Sequence, residues 1–217
     1  KWAQKLGENE DAKTAYESVL SKFPQSYYAW RSATLLGLDV GSFNTVRQTN
    51  PEFLSPQRVL PPAGSPALKE LYQLGQDADA IALWQVEYSN PEKPTVAEQF
   101  TDGLMYLAKG ENLIGINEIS TLEDRDIPLE KAEYQNLSKQ LGYWQARYPF
   151  PYLPLIQTWA QQHQLNPLLV TALIRQESRF EPTIRSVAGA VGLMQVMPGT
   201  AQYIAEKINV SEYNLEN

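Results

Sequence analysis

Apolar residues recur at helical spacing through most of the chain. Ala12, Ala15, Tyr16, Val19 and Leu20 share one helical face, Phe23-Pro24 closes that run, and Tyr27, Trp30, Ala33 and Thr34 begin a second stripe. The junctions have a recurring form: an apolar segment, a glycine, a few polar residues, then another apolar segment. It occurs at Leu6-Gly7-Glu8-Asn9-Glu10-Asp11-Ala12, at Leu74-Gly75-Gln76-Asp77-Ala78-Asp79-Ala80 and, more loosely, at Ala108-Lys109-Gly110-Glu111-Asn112. A glycine just past a helix accepts the left-handed turn that ends it, and acidic residues suit the positive N-terminus of the next helix. The pattern predicts helical hairpins.

Such hairpins cannot bury their apolar faces alone, so they are expected to stack into a curved solenoid. The pattern resembles tetratricopeptide-type repeats, without a strict period. Two proline-rich stretches interrupt it. Residues 50–66, with Pro51, Pro56, Pro61, Pro62 and Pro66, read as an extended connector. Tyr148-Pro149-Phe150-Pro151-Tyr152-Leu153-Pro154 reads as a stiff, partly buried joint and sets the expected domain boundary. The expected organisation is a helical domain over 1–148 (hairpin 1–49, connector 50–66, hairpins 67–148) and a second domain over 149–217. The aromatics of the first part, Trp2, Tyr16, Tyr27, Tyr28, Trp30, Tyr72, Trp84, Tyr88, Tyr106 and Trp144, read as packing between helices rather than as a sugar-stacking surface.

Composition narrows the chemistry. With 217 residues and 43% hydrophobic content the chain can bury a core, and it has no run of 18 apolar residues. It has no cysteine, which removes disulfides, thiolate zinc sites and cysteine nucleophiles. The single histidine, His163, leaves little material for a Ser-His-Asp triad or a multi-histidine metal site, and it reads as a surface residue. Catalysis therefore falls to carboxylates, with no metal or cofactor expected. The net charge of −7, carried mostly before Phe150, lacks the concentrated Lys/Arg surface that nucleic acid requires. Lys1-Trp2-Ala3-Gln4-Lys5-Leu6 has no initiator Met and reads as the middle of a helix, so a preceding segment, with any secretion signal, is expected upstream.

The chemistry concentrates after Asn166-Pro167, a capping residue followed by proline at the first helical position. Glu177 stands seven, four and three residues after Val170, Leu173 and Ile174, which places a carboxylate on an apolar helical face. Pro182 predicts that the helix stops near Glu181, leaving Glu177 about one turn from its negative end. An apolar surround and that dipole both favour the protonated acid, which glycosidic cleavage needs for its leaving oxygen. Periodicity alone leaves open a glutamate paired with Arg175, Arg179 or Arg185.

What tips the balance is Glu177-Ser178-Arg179-Phe180 followed by Ser186-Val187-Ala188-Gly189-Ala190-Val191-Gly192-Leu193-Met194-Gln195-Val196-Met197-Pro198-Gly199-Thr200-Ala201. With the residues before it from Pro167, this resembles the signature of the soluble lytic murein transglycosylase family over about 35 residues, Pro167 to Ala201, and the helical region joined through a Tyr-Pro-aromatic-Pro segment is similar to the large ring- or horseshoe-shaped members. The resemblance implies an all-α chain: a helical-hairpin solenoid followed by the N-terminal portion of a lysozyme-like domain. It makes Glu177 the sole acid/base and places Ser186 beside the reacting sugar. Met194, Gln195 and Met197 would line the glycan groove, with Gln195 facing an acetamido group and the thioethers forming an adaptable floor. Gly189 and Gly192 would permit the tight path of that segment.

The resemblance implies cleavage of the bond between N-acetylmuramic acid and N-acetylglucosamine in peptidoglycan strands, with a 1,6-anhydromuramoyl product, in the bacterial periplasm or cell envelope. No second carboxylate matches a family catalytic position, in keeping with an intramolecular route. A goose-type hydrolytic muramidase and a non-catalytic glycan-binding helical scaffold are the alternatives. The family's later Gly-x-x-Tyr-Leu and Ala-Tyr-Asn-Ala-Gly segments are not found before Asn217, so the chain by itself is expected to be weakly active or inactive.

Overall fold

The structure, a computed structural model, describes residues 2–24, 26–38, 51 and 58–210. Pro56 of the expected connector and the side chain of Trp2 lie outside the described residues. The chain divides into two compact units, Lys1–Pro51 and Glu52–Asn217.

In the first unit, α1 (Trp2–Lys5) and α2 (Asn9–Lys22) meet at Gly7, whose φ of +82° is the expected left-handed turn. The hydroxyl of Ser26 starts α3 (Tyr27–Leu35) by accepting the Ala29 N–H at 3.0 Å. Among the described residues of this unit, small ones, Ala12, Ala29, Ser32 and Ala33, are buried. Tyr27 and Tyr28 are 63% and 72% exposed, which corrects the reading of both as inter-helix packing. They precede Ala29 by two and one residues, and at 100° per residue that turns them away from the face α3 buries.

The second unit opens with the non-helical residues 58–65, in which Pro61 is buried and the Ala63 N–H donates to Thr101 Oγ1 at 3.1 Å. Helices α4 (Pro66–Gln73) and α5 (Asp77–Glu87) form a hairpin across Gly75, at φ +76°. Next, α6 (Val96–Lys109) starts in a capping box of Thr95 and Glu98 and ends at Gly110, at φ +86°. It is followed by α7 (Asn112–Ser120), a 3₁₀ turn (Thr121–Asp124), α8 (Pro128–Leu137) and α9 (Leu141–Arg147). Beyond the non-helical residues 148–152 come α10 (Leu153–Gln162), α11 (Pro167–Ser178) and α12 (Pro198–Lys207).

Among the described residues, two cores fill this unit. Leu68, Tyr72, Trp84, Phe100, Leu104, Ile119, Leu122 and Tyr143 belong to the first. Ile116, Ile156, Ile174 and Phe180 form the second, with Leu107, Val170 and Leu193 packed against it. Helix α7 thus faces both, through Ile119 and Ile116. The division expected at 148/149 falls within this unit, because Ile116 shares a core with side chains from α10 and α11. Ile174 is packed in that shared core.

α6 and α7 approach backbone to backbone. A Cβ on Gly115 would stand 2.8 Å from the Gly103 carbonyl oxygen, and one on Gly103 would stand 2.7 Å from Ile119 Cγ1. Gly115→Ala gains about 1 kcal/mol in helix propensity. It meets backbone that cannot move aside, and such overpacking costs about 1–3 kcal/mol. The expected net effect is a lower unfolding midpoint, read by thermal denaturation.

Trp84 Nε1–H donates to Asp102 Oδ1 at 2.8 Å. Burial pushes the Asp102 carboxyl above its ordinary range, and the Trp84 hydrogen bond works against that shift. A carboxyl raised in the fold binds its proton more readily there than in the unfolded chain, so its ionisation removes stability as pH rises through the folded-state titration. Asp102→Asn keeps an acceptor for Trp84 and removes the charge. It should raise the unfolding midpoint at neutral pH, with the advantage vanishing in acid, as a pH series of melts would record.

Candidate active site

Helix α11 starts where Asn166 Oδ1 accepts the Leu168 N–H at 2.8 Å, with Pro167 at the first position. It buries Pro167, Thr171, Ile174 and Ser178, a single face at spacings of four, three and four. The helix ends at Ser178, earlier than the stop expected near Glu181, because Arg179 and Phe180 are both left-handed, at φ +48° and +66°. Ser178 Oγ donates to the Ile174 carbonyl at 3.0 Å and accepts the Phe180 N–H at 3.1 Å. Two non-glycine residues in this conformation cost about 1–2 kcal/mol each. Phe180, 1% exposed, offsets much of that, since burying such a ring contributes about 1.5–3 kcal/mol. The sharp stop leaves Glu177 in the last turn.

Glu177 faces solvent. It continues a row with Leu169 and Leu173 at steps of four, and that row is open: Leu173 is 43% exposed. The apolar neighbours expected from the sequence are present, but they do not enclose the carboxyl. Ile174 turns into the second core instead, and the Glu177 side chain is exposed.

Arg175 points elsewhere. Its guanidinium carbon lies 4.3 Å from the Tyr148 ring centroid, and Nη2–H donates to the Arg147 carbonyl at 3.1 Å. A pairing of Glu177 with Arg175 is thereby replaced by a structural role. Arg179 is exposed, and His163 is exposed with its ring stacked on Trp159 at 6.3 Å.

The Gly-rich segment closes on itself. Isolated bridges join Arg185 to Val191 and Val191 to Val196, and Gly189 and Gly192 take φ of +89° and +77°. Ser186, exposed, accepts the Ala190 N–H on Oγ at 2.9 Å. Gln195, itself left-handed at φ +48°, donates through Nε2 to the carbonyls of Ile184 and Gly192 at 3.2 and 3.0 Å. The donor expected to serve an acetamido group thus pins the loop, which leaves Oε1 as the atom Gln195 can offer a ligand. Leu193 packs on the core of Ile174 and Phe180, so the segment holding Met194 and Gln195 is fastened to the helix that carries Glu177. Met194 and Met197 are exposed, and Met197 is the residue preceding α12.

The Transglycosylase SLT domain family matches residues 154–217. The soluble lytic murein transglycosylase of Salmonella typhimurium is 33% identical over 75 residues, which cover 35% of this chain and 12% of the relative. Residues 154–217 thus carry the likeness to the lytic murein transglycosylases. The membrane-bound lytic murein transglycosylase C of Actinobacillus pleuropneumoniae is 44% identical over 50 residues, 23% of this chain and 14% of that one. The chain shares its fold, over 98% of its length, with a 70-kDa soluble lytic transglycosylase solved in complex with bulgecin A, at a TM-score of 0.56 and 19% identity. It covers 30% of that chain. The all-α class, helical hairpins followed by a lysozyme-like region, is the one expected.

The Ser178 hydroxyl was not singled out in the sequence as part of the site, yet it organises the turn beside Glu177. Ser178→Ala strands the buried Phe180 N–H, a loss of about 1–3 kcal/mol. Calorimetry on the variant should show that drop.

Proposed function

We propose that this chain is the glycan-cleaving region of a peptidoglycan lytic transglycosylase acting in the bacterial cell envelope, with Glu177 as its acid and then its base. The observation that carries the reading is the fastening of the Gly-rich segment, through Leu193, to the sharply ended helix that presents Glu177, within the stretch matched by the family. The relatives' names supply the substrate, murein. A sugar laid over Glu177, Leu173, Met194 and Met197 would itself exclude water from a carboxyl that is open in the unbound chain.

In the proposed reaction the Glu177 carboxyl gives its proton to the oxygen linking N-acetylmuramic acid to N-acetylglucosamine, and the bond from C1 of the muramoyl residue to that oxygen breaks. The substrate's own acetamido group stabilises the cationic C1. Glu177 then takes the proton of the muramoyl 6-hydroxyl, whose oxygen bonds to C1 and closes the 1,6-anhydro ring without added water. Proximity replaces a protein nucleophile. The other nearby carboxylates have local partners: Glu181 Oε1 accepts the Thr183 N–H and hydroxyl at 3.2 and 2.7 Å, and Glu206 Oε1 accepts from Gln202 Nε2 at 3.2 Å. Ser186, Met194, Gln195 and Met197 are assigned to sugar contacts. The helices before Pro149 hold or restrict the strand without taking part in the chemistry.

In a chain extended through the family's later segments, Glu177→Gln keeps the shape and cannot shuttle a proton, so release of anhydromuropeptides from purified peptidoglycan should fall by roughly 10²–10⁴-fold. Parent-like release by the Gln variant would remove Glu177 from its role. Products heavier by one water would establish the goose-type hydrolytic alternative, and binding without cleavage by a parent extended through the family's later segments would establish the scaffold.

A further inference from the structure

Arg175 is a half-buried cation on α11, two residues before Glu177, and no carboxylate pairs with it among the described residues. Its Nε–H is buried without a hydrogen-bond partner among them. Burial pulls the guanidinium below its ordinary range, the nearby Arg147 and Arg179 charges add to that, and the Tyr148 interaction works the other way. A cation in that position is there for its shape and its neighbours rather than for a salt bridge.

Those neighbours form a ladder between two helices. The Arg175 guanidinium lies over the Tyr148 ring and donates to the Arg147 carbonyl, and these are the residue after α9 and its last residue. Tyr148 stacks on Trp144, with centroids 6.1 Å apart and planes at 16°. The Arg147 guanidinium makes a two-pronged pair with Glu123 of the 3₁₀ turn, both bonds 2.9 Å, and also donates to Tyr143 Oη at 3.0 Å. Tyr143 is fully buried in the first core. A rigid planar side chain thus ties the carboxylate-bearing turn of α11 to the end of α9, and through Arg147 to the first core.

We infer that Arg175 is a positioning residue, which fixes the end of α11, and with it Glu177, against Tyr148 and the Arg147 carbonyl at the end of α9. The inference rests on the assignment of Glu177 made above, and its test separates the two. Hydrogen exchange needs no activity: Arg175→Met should speed exchange of the Glu177 to Glu181 amides at least tenfold while leaving the α6 and α7 amides at the parent rate. Tyr148→Leu should do the same to a smaller extent, and the double variant should be no worse than Arg175→Met alone, because that change already removes the ring contact. On peptidoglycan, kcat per folded molecule should fall about 10- to 100-fold with KM within twofold, the signature of a misplaced reacting group. Arg175→Lys should recover only part of the loss, since the ammonium keeps the charge without the planar stack. Unchanged exchange at Glu177 to Glu181 overturns the inference, as does acceleration spread evenly over α6 and α7, which marks a merely structural role. A fall in kcat without altered exchange overturns it too, because Arg175 would then act on the reaction directly. If Glu177→Gln is fully active the proposed function fails, and the exchange data still decide whether Arg175 holds the end of α11.

Discussion

The close contact of α6 and α7 is the constraint on which the rest of the second unit depends. Glycines at 103 and 115 let the two backbones meet, and that separation lets one short helix serve two cores. Ile119 fills the first core beside Phe100 and Tyr143, while Ile116 anchors the second beneath Ile174 and Phe180. A side chain on either glycine would push α7 outward and move both anchors together, because close-packed interiors pass displacement on rather than absorb it.

On that base the end of α11 is over-determined. A left-handed pair at Arg179 and Phe180 is unfavourable by itself. It persists because Phe180 is buried, Ser178 takes the Phe180 N–H, and Leu193 closes over the same core. Strain confined to the two residues after a carboxylate, and compensated by packing, is a common way of holding a reactive group where a regular helix would carry the chain past it. The Gly-rich segment has the same economy: Gln195 and Ser186 spend hydrogen bonds on their own loop, giving a preformed surface that exposes Met194 and Met197.

What could be read before folding depended on how local the physics is. The helical hairpins, the left-handed glycines at 7, 75 and 110, the capping Asn166 and the Glu177-bearing helix follow from spacing and turn chemistry within a few residues. The family resemblance carried by Glu177 through Ala201 rests on the order of residues, and the match over 154–217 bears it out. Tertiary packing decided the rest. Periodicity marks an apolar face but not its partner, so Tyr27 and Tyr28 turned out exposed, Ile174 buried and Leu173 open. Nor does a chain of letters show that Arg175, in register with nothing acidic, reaches 28 residues back to the Arg147 carbonyl. The sequence by itself determined which segments are helical and which carboxylate ends one of them, because those depend on neighbours along the chain. Which face of each helix is covered, and what holds Glu177 in place, depended on neighbours in space.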